Sequence, residues 1–196
     1  MATYTANTLL KSAQKARSYA GAGYPNVEGL YFAQCIPFKG MGSVVYHWQA
    51  KPSPIKRNKD GSMPKNAHKP SHYDMYLEFQ QVPFAEEGDE IPSDNTWAKI
   101  EYKGETYYFE KPSIDKNPIR VRCSCPDFRF TWEKQCWDAH ILYGGTYTRY
   151  QRKTPEPPIG REHRNSANVP GLCKHVYSAI TRSITEGWIL GGSTQP

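Results

Sequence analysis

The chain has no apolar run approaching the ~20 residues needed to span a bilayer. Its first residues, MATYTANTLLKSAQKARSYA, lack the continuous apolar stretch of a secretory signal. The expectation is therefore a protein made and folded in a reducing cytoplasm, with no membrane role. Cysteine is scarce, five in 196 residues. Where glutathione and thioredoxin keep thiols reduced, so few cysteines do not form a disulfide framework. Also missing are a P-loop, a dinucleotide-binding glycine motif, a His-Glu-x-x-His helix and a nucleophile elbow. Together these absences point away from an enzyme. No internal repeat is present, which excludes a solenoid.

Proline and glycine are plentiful, at 16 and 15 residues, and imply many loops. With 38% hydrophobic and 13% aromatic residues, the chain can still bury a core. The net charge of +6 suits nucleic acid, an acidic protein surface or plain solubility.

Periodicity predicts a helix over 5–20, where Leu9, Leu10, Ala13, Ala16 and Ala20 recur at three-to-four spacing. Thr5 or Thr8 could cap its start, and Gly21–Pro25 would stop it. Its narrow apolar stripe suits docking on a neighbour rather than on its own core. Short β-branched or aromatic runs predict strands at 30–38 and 43–51, joined by a glycine-containing hairpin. A clean alternation over 72–82 predicts a third strand. Residues 96–112 read as two strands joined at Lys103-Gly104, and 118–125 as another. The middle of the chain is then a small antiparallel sheet. Pro126 opens an expected helix over 126–142. The stripe Leu172, Val176, Ile180, Ile184 and Trp188 predicts a last helix from about 171 to 188.

Two polar segments resist any element. Residues 51–70 hold six basic residues, one acid and four prolines; residues 150–171 are likewise basic and proline-rich. Either can serve as an arm that orders against a partner. Lys56, Arg57 and Lys59 in the first, and Arg152 and Lys153 in the second, are the candidate partner-binding residues.

The chemistry lies in two short stretches. VRCSCPDF places Cys123 and Cys125 one residue apart, and PGLCKH repeats that spacing with Cys173 and His175. Three thiolates and one imidazole are the donor set of a closed, tetrahedral structural zinc site. Alternate side chains on a strand share a face, and Pro126 then turns the chain. Residues two apart on a helix point about 200° away from each other, so Cys173 should precede the last helix and His175 enter its first turn. Three thiolates on Zn2+ leave about −1, which Arg120, Arg122, Arg129 and Lys174 could offset. Asp127 is a candidate acceptor for the His175 imidazole. Cys35 reads as core, and Cys136 as the cysteine able to stand in for a ligand. The remaining histidines lack ligand spacing.

The pattern Cys-x-Cys, spacer, Cys-x-His resembles the SWIM zinc finger. The resemblance implies one zinc held by Cys123, Cys125, Cys173 and His175, with the first pair on a β-hairpin and the second opening a helix. The 47 residues between Cys125 and Cys173 exceed the usual spacer. The longer pattern, CPDF through PGLCKH, resembles structural proteins of tailed-bacteriophage virions. That likeness implies a subunit of tail, baseplate or neck, assembled in the bacterial host cytoplasm and located in the virion. Its partners would be other virion proteins or copies of itself. A SWIM-type nucleic-acid-binding module of a recombination or transposition system is the alternative. The expected architecture is α+β: an N-terminal helix or docking arm (1–25), a β-rich region (26–95) and a zinc-stabilised β-β-α unit (96–196) with a long insertion (126–170).

Overall fold

The computed structural model describes residues 3–16, 27–52, 59–62, 70–147 and 168–192. The architecture is α+β. Helix α1 (Ala6–Ala16) is followed by β1 (Tyr31–Phe38), β2 (Ser43–Ala50), β3 (Tyr73–Gln80), β4 (Trp97–Tyr102), β5 (Glu105–Glu110) and β6 (Ile119–Cys123). Helices α2 (Pro126–Thr131), α3 (Glu133–Asp138) and α4 (Lys174–Thr185) complete it.

Four strands form one antiparallel sheet in the order β1-β2-β3-β6, and β4 and β5 form a second, two-stranded sheet. The β1–β2 hairpin turns through a 3-10 segment at Lys39–Met41, with Gly42 at φ 57. The β4–β5 hairpin turns at Lys103 and Gly104, both at positive φ, the conformation that a tight two-residue hairpin demands. Where the sequence suggested one small sheet, the structure separates this hairpin. Segment 83–85 joins it through Ala85 N–H to Tyr108 O (3.0 Å) and Glu110 N–H to Pro83 O (2.9 Å).

Period-two alternation decides which face of the larger sheet is dry. Val44, Tyr46, Trp48, Met75, Leu77, Phe79, Ile119 and Val121 are all at most 1% exposed and form the inner face. Helix α4 covers it with Val176, Ala179 and Ile180, packing on β3 and β6. The β-β-α unit is therefore built from β3, β6 and α4, and draws one strand from well before the ligand pairs.

Helix α1 departs from expectation. Its stripe, Ala6, Leu9 and Ala13, is 0% exposed within the chain's own core and not on a neighbour. Its start is a reciprocal cap, in which Thr5 N–H donates to Thr8 Oγ1 (2.8 Å) and Thr8 N–H to Thr5 Oγ1 (3.3 Å). Further along, Asn7 N–H donates to Ile114 O (3.0 Å) and Ser12 Oγ to Pro170 O (2.6 Å). These polar contacts explain why so narrow a stripe suffices.

The helix expected over 126–142 is also revised. It breaks at Trp132, φ −120, into α2 and α3, and has ended by His140, which adopts φ 59. The chain must turn there, because Val121 N–H donates to Ile141 O (2.9 Å) and Tyr143 N–H to Val121 O (3.2 Å), laying 141–143 beside β6. No helix among the described residues is long and apolar enough to cross a membrane.

Candidate metal centre

Each candidate ligand sits where an element begins or ends. Cys123 is the last residue of β6, on the inward-facing side of the alternation. Cys125 is the N-cap of α2 (φ −71, ψ 148) and Cys173 the N-cap of α4 (φ −76, ψ 167). An N-cap residue is extended, so its side chain does not follow the helical screw. That frees Cys173 to face the same point as His175, two residues on. The ligand atoms of Cys123, Cys125, Cys173 and His175 lie within 4.8 Å of one another, and the four residues are 3%, 1%, 0% and 4% exposed. This buried set has the donors and closeness to hold a metal ion.

Backbone N–H groups support the sulfurs. Cys125 N–H donates to Cys123 Sγ (3.4 Å) and Phe128 N–H to Cys125 Sγ (3.3 Å). Hydrogen bonds from Cys123 and Cys173 hold the Cys125 thiol well below its ordinary pKa, whereas burial pushes Cys123 and Cys173 up. His175 Nδ1 is buried with no hydrogen-bond partner. A buried imidazole nitrogen left orphaned is costly unless something binds it.

The cluster is clamped from outside. Between the first two cysteines, Ser124 N–H donates to Asp74 O (2.9 Å) and Asp74 N–H to Ser124 Oγ (2.9 Å). Tyr73 lays its ring 5.1 Å from the His175 imidazole. At the second pair, Gly171 lies so close to Trp132 that an added Cβ would stand 2.5 Å from its indole. The Gly171 carbonyl accepts from Cys136 Sγ (3.7 Å).

Several expectations are corrected here. Arg120 and Arg122 do not offset the cluster, because alternation along β6 puts them on the opposite face from Cys123. Arg120 pairs with Glu78 (3.6 Å). Arg122 pairs with Glu133 (3.1 Å) and donates to the carbonyls of Tyr143 (3.1 Å) and Thr146 (2.7 Å). Asp127 accepts from the Thr131 hydroxyl (3.4 Å), and His175 Nδ1 remains without the acceptor expected for it. Cys136 is fully buried but outside the ligand set, and Cys35 is a core residue; burial pushes both thiols up to about 12.

Of the candidate partner-binding residues, Lys59 is exposed in a turn, while Lys56, Arg57, Arg152 and Lys153 lie outside the described residues. No local signal foretells the Ser124–Asp74 clamp, because strand register alone brings those residues together. Compared with protein-family models, curated proteins and solved structures, the chain returns no match.

Proposed function

We propose that the centre binds one zinc ion as a structural staple. The protein is then a non-enzymatic assembly subunit of the SWIM-like, tailed-phage virion kind that its sequence resembles, located in the assembled particle. The observation that carries the reading is the completeness of the donor set: three sulfurs and one nitrogen, all buried, two of them at helix starts. Zinc suits this set better than calcium or magnesium, which take oxygen ligands. A tetrahedral site with Zn–S bonds of ~2.3 Å sets its ligand atoms roughly 3.8 Å apart, and those present lie within 4.8 Å of one another. A catalytic zinc keeps one position open for water or substrate, and four protein donors leave none. The metal would instead tie β6 and α2 to α4, three elements far apart in the chain.

The protein purified with its native metal should carry about one zinc per chain. Cobalt substitution should give the intense visible bands of a tetrahedral thiolate site. Complete removal by a strong chelator should lower the melting temperature and loosen α4. Unchanged melting after complete removal would overturn the structural role. A nucleic-acid-binding module, favoured by the net charge of +6, remains the competing reading. Affinity for DNA that falls steeply with salt would select it, while recovery of the chain with other particle proteins would select assembly.

A further inference from the structure

The charge of this basic chain is unevenly placed. Residues 84–110 contain eight of its 19 acidic residues and only two of its 25 basic ones. In the fold this stretch builds β4, β5 and the loop that pairs with them, and beside it opens a groove of about 610 Å³. One wall carries Glu86, Glu87 and Asp89; the other is β5, with Glu105, Tyr107 and Tyr108. The Phe84 ring packs on Phe109 (5.5 Å between centroids) beneath the same loop.

The groove already binds ammonium groups of its own chain. Lys39 Nζ donates to Ala85 O (2.8 Å) and to Glu86 (2.9 Å), and Lys99 Nζ stands over the Tyr108 ring at 5.7 Å. Glu87 has no basic partner among the described residues. Acidic groups beside tyrosine rings are the surface that a lysine- and proline-rich strand fits: ammonium to carboxylate, proline ring against aromatic face.

Such a strand exists in this same sequence, and its described middle, residues 59–62, is exposed and does not line the groove of its own chain. Segment 51–70, with six basic residues and four prolines, leaves from the end of β2 and returns at the start of β3. The groove lies beyond the other end of those two eight-residue strands, by Lys39 and Phe84. At ~3.3 Å per residue the two ends are roughly 25 Å apart. We propose that the acidic, tyrosine-lined groove receives segment 51–70 of a second copy of this chain, head to tail. The contact rests on the assembly role proposed above and gives it a partner. Because groove and arm are different surfaces, it is heterologous, and repeats into a ring or a filament.

Sedimentation of the full, zinc-loaded chain tests this. Association should grow with protein concentration and fall with salt. Two charge reversals in the groove, Glu87→Lys with Glu105→Lys, should weaken it by about tenfold or more. Reversals in the arm, Lys56→Glu, Arg57→Glu and Lys59→Glu, should do the same. Mixing the two variants should restore association, since the intact arm of one then meets the intact groove of the other. Zinc content and melting temperature, read on each variant, show that it is folded. Should a variant not fold, a synthetic peptide of residues 51–70 titrated into the wild-type chain must shift the resonances of Tyr107 and Tyr108. A wild type that stays a single chain at every concentration and low salt overturns the contact. So does association indifferent to the groove variant, or an arm whose reversal abolishes only DNA binding. In each of those outcomes the zinc centre and contacts with other particle proteins stand untouched.

Discussion

At position 171 there is room for a hydrogen atom and no more. The indole of Trp132 lies where a Cβ would go, so Gly171→Ala must push apart the approach to Cys173 and the α2–α3 joint. Overpacking of this kind costs about 1–3 kcal/mol. The expected result is a lower melting temperature together with weaker zinc retention in a chelator competition. Cys136 offers the opposite test. Its thiol is buried and bonded to Gly171 O but lies outside the donor set. Cys136→Ala should lose about 1–2 kcal/mol of stability and keep its metal stoichiometry, whereas Cys173→Ser should lose the metal.

Asp74 provides a pH test at the same scale. Burial works against its carboxylate, but hydrogen bonds from Gln49 and His47, with the His47 and His72 imidazoles nearby, hold its pKa below the ordinary value. A carboxyl group more acidic when folded than when unfolded contributes stability that is complete above the unfolded value of about 4. That stability fades as pH falls through the folded value. Equilibrium denaturation of the metal-free chain should therefore show a steeper acid loss for wild type than for Asp74→Asn, the two curves converging in acid. A loss of equal steepness in both would assign the acid sensitivity elsewhere.

At the scale of elements, a metal held by the Cys3His cluster would link pieces far apart in the chain. Helices α2 and α3 have six residues each, too short to persist alone. Hydrogen exchange after chelation should rise first in α2, α3 and the opening turn of α4, while the β4–β5 hairpin, which contributes no ligand, keeps its protection. Uniform loss of protection would mean that the metal stabilises the whole fold as one unit.

The sequence makes much of this level readable. The first two strands are foreshadowed by β-branched or aromatic runs, the third by its two-residue alternation, the β4–β5 hairpin by Lys103-Gly104, and α4 by its unbroken apolar stripe. The ligand set followed from spacing alone, since a helix cannot aim residues two apart at one point and the cap position can. What stayed hidden depends on pairing at a distance. Nothing local in 118–123 says that β6 joins β3, although the alternation along that strand already sets Arg120 and Arg122 on the face opposite Cys123. The break at Trp132 is likewise invisible in a stretch whose periodicity is helical. It arises because 141–143 must return to β6. Helix α1 misled for a related reason. Its stripe is narrow, and the bonds of Asn7 and Ser12 that complete its docking run to residues more than a hundred positions away.

For the molecule as a whole, charge separation is the property with the widest reach. An acidic hairpin region on a chain of net charge +6 gives each copy two unlike ends, so dilution and added salt should both favour separate chains. Nucleic acid, if bound, would compete for the same arm. An electrophoretic mobility assay on wild type and on the arm variant therefore complements the sedimentation experiment. The arm variant should lose any DNA retardation that wild type shows, while Glu87→Lys with Glu105→Lys should not weaken it.

The two borders of the four-stranded sheet carry a last consequence. On one side, 141–143 runs parallel against Val121 and occupies the hydrogen-bonding groups that β6 would otherwise present. On the other, β1 carries an irregularity between Phe32 and Gln34, and Pro37 has no amide to offer. Neither rim is a template for backbone-to-backbone stacking. A particle made from many such chains, crowded for long periods, would be spared conversion into cross-β fibre, and its growth would be left to side-chain recognition alone.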